Sequence, residues 1–527
     1  MPTLHSPNLF LCFLVIMLVF FSPTTSAASI DTICDDTPFP IFCKTLLPNN
    51  NASINDLSRF SVQQSISMTQ NVLSLLSSYL GQRSTLSNNV IQALEDCQNL
   101  CNLNMDFLSE TLQAISSTDT IEKFKGKDLL TFLSAIVTDM QTCLGGLEDI
   151  TLPSSLEGAL VPPLSNGSMM YSVALAIFKN GWVENVAEGR ILAGRKPPPS
   201  TGGLKLYPGG NSVKVSQTVS VDPNGSGNFT TINDAIAVAP NNTDGTKGYF
   251  VIRIAAGVYE EYINITKTKR YLMMIGDGIN QTVVTGNRSV TEGWSTFNTG
   301  TMIVVGQGFV AVNMTFRNTA EAINHQAVAV RSGADLSTFY RCSFEAYQDT
   351  LYTHSLRQFY RECDIYGTID FIFGNAAVVL QNCNIYPRLP MEGQFNAITA
   401  QGRTDINQNT GTSIQNCTIT QAENLGSTKT YLGRPWKLYS RALYMQSYMD
   451  SLIEPAGWSI WSGDFALNTS YYAEYNNRGP GTDTSNRVTW EGFHLINATD
   501  AVNFTVTNFI SGDSWLPATG VPYYGGL

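Results

Sequence analysis

The sequence lacks several features on which common protein functions depend. Only 14% of its 527 residues are charged, and it has no run of lysine and arginine of the kind that neutralises phosphates. Beyond residue 21, no apolar run approaches the length that spans a bilayer. Low-complexity tracts are also absent, and 43% of the residues are hydrophobic. These features argue against a nucleic-acid partner, a membrane-spanning position and a disordered chain.

Motifs of several reaction classes are missing as well. No Gly-X-Ser-X-Gly segment occurs, and only His325, His354 and His494 follow the first 27 residues, so a Ser-His-Asp hydrolase is not expected. No group of histidines and cysteines has the spacing of a zinc site, and phosphate-loop and dinucleotide-binding fingerprints are absent. The sequence therefore predicts neither a metal nor a cofactor.

The amino terminus indicates export. The apolar run from Leu9 to Phe21 is too short to span a bilayer, and small residues follow it up to Ala27, so residues 1–27 are predicted to be a signal peptide. A secreted, extracellular glycoprotein is therefore expected. Its Asn-X-Ser/Thr sites include Asn51, Asn166, Asn228, Asn264, Asn287, Asn416 and Asn497.

The chain divides into a helical part and a β-rich part. From residue 30 to 182, apolar residues recur at helical spacing in four segments, which predicts an all-α four-helix bundle. Residues 183–212 are rich in Gly and Pro and predict a linker. Arg190 in this linker could be cut by a secretory-pathway protease, although an ordinary helix-ending arginine is an equally good interpretation. From residue 213 to 527, short β-branched and aromatic runs between Gly and Asn predict strands.

A repeat of about 21 residues runs through the β-rich part. Cys342 and Cys363 lie 21 residues apart, and Cys383 follows 20 residues later. Such a repeat predicts a right-handed parallel β-helix, in which successive coils stack about 4.8 Å apart. Stacked cysteines come within reach of a disulfide, so Cys363 could pair with Cys383 or with Cys342.

Other cysteines also suggest pairs. Ten cysteines less Cys12 of the signal peptide leave nine, so at least one has no partner within the chain in an oxidising compartment. Cys34 and Cys43 flank a short loop, and Cys97 and Cys143 lie in two separate helical segments.

Two aspartates follow the same repeat. Asp349 and Asp370 lie 21 residues apart, so they are expected to stack on neighbouring coils. Two carboxyl groups in one small site resist double ionisation, which places a general acid beside a nucleophile or base. Their aromatic and apolar neighbours make two solvated turn aspartates the weaker interpretation.

Amide and cationic residues could serve the same site. Gln348 adjoins the first aspartate, and Gln326 lies near one coil before it, so both could stabilise developing negative charge. A ladder of glutamines between coils is an equally good interpretation. Arg434 could hold a carboxylate and Trp436 could stack on a sugar ring, although such pairs often only pack.

Five ordered segments resemble the signatures of plant pectin methylesterases. The resemblance spans roughly residues 213–527, and residues 30–182 resemble the inhibitor domain that precedes the enzyme in the pro-form of this family. The five segments are Gly257 to Glu261, Gln326 to Val330, Tyr347 to Leu351, Asp370 to Gly374 and Leu432 to Trp436.

The resemblance implies a secreted carboxylesterase that hydrolyses methyl esters of galacturonate units in cell-wall pectin and releases methanol and pectate. Asp370 would be the nucleophile and Asp349 the proton donor and later the base. Gln326 and Gln348 would stabilise the oxyanion, and Arg434 would orient the nucleophile and the substrate. The substrate groove would be lined by Thr296, Gln326, Tyr352, Phe373, Arg434 and Trp436.

The resemblance also implies disulfides and partners. It pairs Cys363 with Cys383, Cys34 with Cys43, and Cys97 with Cys143. Cys101 departs from the inhibitor-domain pattern, so an unpaired thiol is expected there that could disturb the pairing of Cys97. The bundle is expected to inhibit the enzyme or to assist its folding. A monomer is expected, and separate pectinesterase inhibitor proteins are potential partners.

Two other functions stay open from the residues alone. A β-helix pectin depolymerase, a lyase or a glycosidase, would cut the polymer instead of the ester, but we find no carboxylate cluster for the calcium ion of a lyase. A binding protein of the inhibitor type with an inert β-helix is disfavoured by the intact acid, amide and arginine motifs. The segment around Arg190 lacks the paired basic residues expected at the family's processing site, which leaves removal of the bundle open.

Overall fold

The helical part begins with a short hairpin and continues as four long antiparallel helices. The computed structural model describes residues 29–48, 52–184, 204–206 and 210–527. The predicted signal peptide, Asn51 and the cleavage site at Arg190 lie outside the described residues. The helices of this part are α1 (Ile30–Asp35), α2 (Pro40–Leu46), α3 (Ile54–Leu80), α4 (Asn88–Ile115), α5 (Lys123–Glu148) and α6 (Ser154–Phe178), and a π-helical turn, Lys179–Glu184, follows α6.

The bundle has its own apolar core, as the periodicity predicts. Helix α5 buries Leu129, Leu133, Ile136 and Met140 completely among the other helices. This helix is long and apolar enough to cross a bilayer, but 78% of its most apolar window is buried inside the protein, so we interpret it as a core helix. The fold of the bundle therefore follows from burial of one stripe on each long helix.

Two disulfides join helices of the bundle, and both were predicted. Cys34 bonds to Cys43 between α1 and α2, and Cys97 bonds to Cys143 between α4 and α5. Cys101 is a buried free thiol, as expected from its departure from the family pattern. It does not disturb the pairing of Cys97.

The β-rich part is a parallel β-helix of three sheets, which confirms the predicted fold. A complete coil contributes one strand to each sheet, and neighbouring strands pair in parallel. The first sheet contains β1 (Val215–Val221), β2 (Tyr249–Ile254), β5 (Leu272–Gly276), β8 (Val310–Val312), β11 (Ser337–Tyr340), β14 (Arg357–Arg361), β17 (Ala377–Gln381), β20 (Gly411–Gln415), β23 (Arg441–Met445), β25 (Tyr471–Tyr475) and β26 (Phe493–Leu495). The second contains β3 (Gly257–Tyr259), β6 (Thr282–Gly286), β9 (Thr315–Asn318), β12 (Ser343–Glu345), β15 (Asp364–Gly367), β18 (Asn384–Pro387), β21 (Thr418–Ile419) and β24 (Tyr448–Met449).

The third sheet carries the predicted site. It contains β4 (Ile263–Ile265), β7 (Met302–Val304), β10 (Val330–Ser332), β13 (Leu351–Thr353), β16 (Ile369–Gly374), β19 (Asn396–Gln401) and β22 (Thr430–Gly433). Short helices α7 (Ile232–Val238), α8 (Ala498–Ala501), α9 (Val506–Phe509) and α10 (Leu516–Thr519) complete this part. The bundle lies against the third sheet, because α5 contacts the loops that follow β13, β16 and β19.

One predicted disulfide is wrong. Cys363 and Cys383 are buried free thiols, and so are Cys342 and Cys417 on the coils before and after them. The Cys363 Sγ lies 3.4 Å from the carbonyl oxygen of Phe339 on the preceding coil, which is the typical orientation of this row. Stacked positions carry parallel side chains, whereas a disulfide needs two sulfurs that turn toward each other. Proximity between coils is therefore not sufficient for pairing.

Candidate active site

A cavity of about 690 Å³ lies between the bundle and the third sheet of the β-helix. One wall comes from β-helix residues, and the other comes from α4, α5 and the segment after α5. All nine predicted catalytic and substrate-binding residues line this cavity: Thr296, Gln326, Gln348, Asp349, Tyr352, Asp370, Phe373, Arg434 and Trp436.

The two aspartates stand on neighbouring coils, as their spacing predicts. Leu351 of β13 pairs with Ile372 of β16, and each aspartate precedes its paired residue by two positions. The Asp349 backbone N–H donates to the carbonyl of Ile369 at 3.0 Å, which fixes the two coils against each other. Both aspartates have left-handed backbones, with φ of 64° at Asp349 and 54° at Asp370. Such conformations are costly for non-glycine residues and often occur at functional sites.

Arg434 distinguishes the two carboxyl groups. Its Nε donates to Asp370 Oδ1 at 2.8 Å and its Nη2 donates to Asp370 Oδ2 at 2.7 Å, a bidentate pair. Burial raises the pKa of Asp370, but these hydrogen bonds and the charge of Arg434 oppose the rise. Burial raises the pKa of Asp349 well above its usual range, and the Asp370 carboxyl raises it further. The site can therefore hold an anion at Asp370 beside a protonated Asp349.

Two glutamine amides face the cavity with their donors unoccupied. The Ala327 N–H donates to the Gln348 carbonyl at 3.2 Å, and the Val290 N–H donates to the Gln326 carbonyl at 3.1 Å, so both backbones are held between coils. Neither side-chain amide has a hydrogen bond to another residue within the described part of the chain. The predicted alternative, a glutamine ladder between coils, would require such bonds.

Aromatic side chains form a flat surface beside the acids. Tyr352 pairs with Phe373 in the strand register, and their rings stack with centroids 4.2 Å apart. The ring of Trp436 stands edge-on to Phe373 at 5.9 Å. Gly402 permits this position, because a Cβ there would lie 2.8 Å from the indole ring. Such a surface suits the apolar face of a sugar ring.

Sequence reasoning missed several residues of the β-helix wall. Trp461 lies over the Arg434 guanidinium at 4.4 Å, and Phe297 and Lys437 also line the cavity. Trp461 belongs to the loop between β24 and β25, with no repeat position or signature segment, so only its aromatic character could have indicated a role.

Sequence reasoning also missed the bundle wall. Thr138 on α5 accepts hydrogen bonds from Asn375 Nδ2 at 2.8 Å and from Gln408 Nε2 at 3.0 Å. Asp96 on α4 accepts one from Asn298 Nδ2 at 2.7 Å. Further contacts across the interface join Thr142 to His354, Ser134 to Gln408 and Asn409, Thr131 to Asn409, Asp128 to Arg357 and Asp106 to Lys267. The bundle thus closes the side of the cavity that faces away from the β-helix.

Comparison with known proteins accounts for both parts of the chain. A pectinesterase family model matches residues 218–513, and a model described as plant invertase/pectin methylesterase inhibitor matches residues 28–177. The Arabidopsis thaliana protein "Probable pectinesterase/pectinesterase inhibitor 20" is 52% identical over 95% of this chain and 94% of its own length. "Pectinesterase 2" of Citrus sinensis is 49% identical over 82% of both chains. The solved structure "Pectin methylesterase from Carrot" matches 59% of this chain and 98% of its own, with 53% identity and a TM-score of 0.58.

Proposed function

The chain belongs to the pectinesterase family and carries an inhibitor domain before the esterase domain, and from this premise we propose how its residues divide the work. It is a carboxylic ester hydrolase that acts on pectin. The proposal concerns the catalytic roles, the effect of the bundle, and secretion to the cell wall. The domains are residues 30–182 for the bundle, 183–212 for the linker and 213–527 for the esterase.

Asp370 is the nucleophile in this proposal. The observation that supports it most is its bidentate pair with Arg434, which favours the ionised form of Asp370 and fixes the direction of its oxygens. The pKa of Asp349 is raised well above its usual range, which favours its protonated form. An Asp370 oxygen attacks the carbonyl carbon of the galacturonate methyl ester and forms a tetrahedral oxyanion. The free amides of Gln326 and Gln348 donate to that oxyanion.

Asp349 moves the proton in both halves of the reaction. As the tetrahedral species collapses, Asp349 protonates the departing methoxide, which leaves as methanol. The acyl group remains bound to Asp370 as an acyl enzyme. The ionised Asp349 then takes a proton from water while the water oxygen attacks the acyl carbon. Collapse of this second adduct releases the galacturonate carboxyl group, which loses its proton to solvent, and restores the Asp370 carboxylate and the protonated Asp349.

The bundle is an intramolecular inhibitor in this proposal. Helices α4 and α5 form a wall of the cavity that contains the acid pair, so a polymer cannot lie across the third sheet while the bundle is docked.

Secretion is supported by the apolar amino terminus, and fusion of residues 1–27 to a reporter protein tests it by export.

Methanol release from highly methylated pectin tests the esterase roles and the inhibition together. The protein is the full chain with a specific protease site engineered between residues 190 and 200, measured before and after the cut, with chain length followed in the same tube. We expect the cut and bundle-depleted enzyme to release methanol at least about tenfold faster, without chain shortening. Equal rates before and after removal would refute the inhibition, and chain shortening without methanol would favour a depolymerase.

A further inference from the structure

Arg331 lies one strand before Tyr352 in the row of paired side chains that continues to Phe373, and both aromatic residues line the cavity. It pairs with Tyr352, which in turn pairs with Phe373, and paired positions of parallel strands face the same side of the sheet. Its guanidinium lies over the ring of Phe297, 3.4 Å from the ring centre, and Phe297 lines the cavity. Arg331 is therefore one coil away from the aromatic surface beside the acid pair.

The charge of Arg331 is not matched by any residue of the β-helix. Only 6% of Arg331 is exposed, and its buried Nε has no hydrogen-bond acceptor among the described residues. Two other buried arginines differ, since Arg357 pairs with Asp335 and Arg487 pairs with Glu474, both acids of the β-helix itself. A buried cation without an acid is strongly destabilising unless an anion reaches it.

The acids whose charges act on Arg331, Asp96 and Asp139, belong to the bundle. Burial raises the pKa of Asp96 to about 6 and that of Asp139 well above its usual range, and Arg331 is a cation that opposes both shifts. Asp139 Oδ1 is buried without a hydrogen-bond partner in the described part of the chain. Removal of the bundle therefore leaves the guanidinium beside the cleft with no carboxylate.

We propose that Arg331 binds the free carboxylate of an unesterified galacturonate unit on the same pectin chain whose ester reaches Asp370. In the full chain, Asp96 and Asp139 of the bundle supply the negative charges that act on Arg331. This inference rests on the proposed function of the acid pair. Arg331 lies two strands from β16, roughly 10 Å at the usual strand spacing, so it contacts a neighbouring unit and not the reacting ester.

Arg331 thereby determines specificity. A guanidinium forms a charge-assisted pair with a carboxylate, whereas a methyl ester offers only neutral acceptors. Partly de-esterified pectin gains this contact, and fully methylated pectin does not. The released enzyme should therefore prefer the partly de-esterified polymer.

The test compares kcat/KM on the two polymers, using the full chain cut at the engineered site and depleted of its bundle. Arg331→Gln should lower the ratio of kcat/KM on partly de-esterified pectin to that on fully methylated pectin by about tenfold, a typical effect for a hydrogen bond to a charged group. Arg331→Lys keeps the charge and should lower the ratio by about threefold. Binding of unesterified trigalacturonate, measured by calorimetry, should weaken in the same order.

Controls separate this inference from a structural role and from the proposed function. Arg317 pairs with Glu345 away from the cleft, so Arg317→Gln should leave the ratio unchanged. An equal fall on both polymers in Arg331→Gln and Arg331→Lys, with unchanged trigalacturonate binding, would overturn the inference and indicate a packing role. Absence of methanol from the unmutated enzyme would instead overturn the proposed function. If Arg331→Gln fails to fold, an unchanged ratio in Arg331→Lys, together with unchanged trigalacturonate binding, overturns the inference.

Discussion

The β-helix wall of the cavity is fixed by strand register and ion pairing, whereas the bundle wall is the polar face of helices that have their own core. On the first wall, Asp349 and Asp370 stand on stacked coils, and Arg434 holds Asp370 through two hydrogen bonds. On the second wall, Thr138 and Thr142 meet amide and imidazole groups across the interface. The reacting groups are therefore part of the β-helix, whereas the groups that cover them belong to a separate helical domain.

This difference explains how one chain can contain both an enzyme and its cover. The face of α5 that carries Leu133, Ile136 and Met140 is buried in the bundle, so separation from the β-helix does not expose it. The opposite face presents mainly hydroxyl groups, which water can satisfy after separation. An interface of this type is suited to release, while the catalytic wall keeps its geometry.

The largest effect should come from the carboxylate on the scaffold. Asp370→Asn keeps the shape of the side chain but removes the nucleophile, so the bundle-free enzyme should lose methanol release by at least roughly 10³-fold. Asp364→Asn changes an acid of β15 that accepts a hydrogen bond from Asn384 away from the cavity, and it should leave the rate of the bundle-free enzyme unchanged. Full activity in Asp370→Asn would assign the nucleophile to another residue.

The second effect distinguishes the covalent links of the two parts. The Cys97–Cys143 bond closes a loop of 46 residues, so Cys97→Ser should lower the free energy of unfolding of the bundle by about 3–4 kcal/mol. The four cysteines of the β-helix are thiols, so a reducing agent should lower the unfolding temperature of the bundle alone. A β-helix transition that falls on reduction in calorimetry would mean that Cys363 and Cys383 are bonded after all.

Repetition made the β-helix wall predictable. Spacing placed Asp349 and Asp370 on adjacent coils because a solenoid converts a fixed interval into a fixed stack. The same spacing failed for Cys363 and Cys383, since it gives the distance between side chains but not the direction in which their sulfurs turn.

The bundle wall could not be predicted in this way. Helical periodicity finds the buried stripe of α5, but it does not say what the opposite stripe will face. Asp96 and Thr138 are ordinary helix residues in the sequence, and their roles arise only from docking against Asn298 and Asn375. Arg331 was overlooked because its acids are on the other part of the chain.

The third effect is a dependence of docking on pH. Burial raises the pKa of Asp96 to about 6, while a solvated aspartate has about 3.8, so the docked state binds more protons than the separated one. Its contribution to docking is fully present below pH 4 and is lost as the pH rises to about 6. Asp96→Asn removes this loss, so at pH 6 and above the variant bundle should bind up to roughly a hundredfold more tightly than the unmutated bundle.

Comparison of the two bundles isolates Asp96 from the other groups that face the interface. Arg331 and His354 are the same in both complexes, so their own pH dependence cancels, and Asn298 has no titratable group. His354 matters here because burial lowers its pKa to about 3. Its contribution to docking therefore increases as the pH rises, opposite to that of Asp96. Affinities measured by calorimetry from pH 4 to 7 should diverge as the pH rises, and a constant difference would show that Asp96 does not titrate on docking.

The smallest effect concerns a single hydroxyl on α5. Thr138 accepts hydrogen bonds from both Asn375 and Gln408, so Thr138→Val keeps the shape but leaves two buried amides without this acceptor. The loss should be about 1–2 kcal/mol, or roughly tenfold in the affinity of the separated bundle. Thr45 is exposed on α2 and bonds only within its own helix, so Thr45→Val should have no effect on affinity. If Thr138→Val binds as tightly as the unmutated bundle, the hydroxyl face does not hold the two walls together, and attraction between charges such as Asp128 and Arg357 must carry the docking instead.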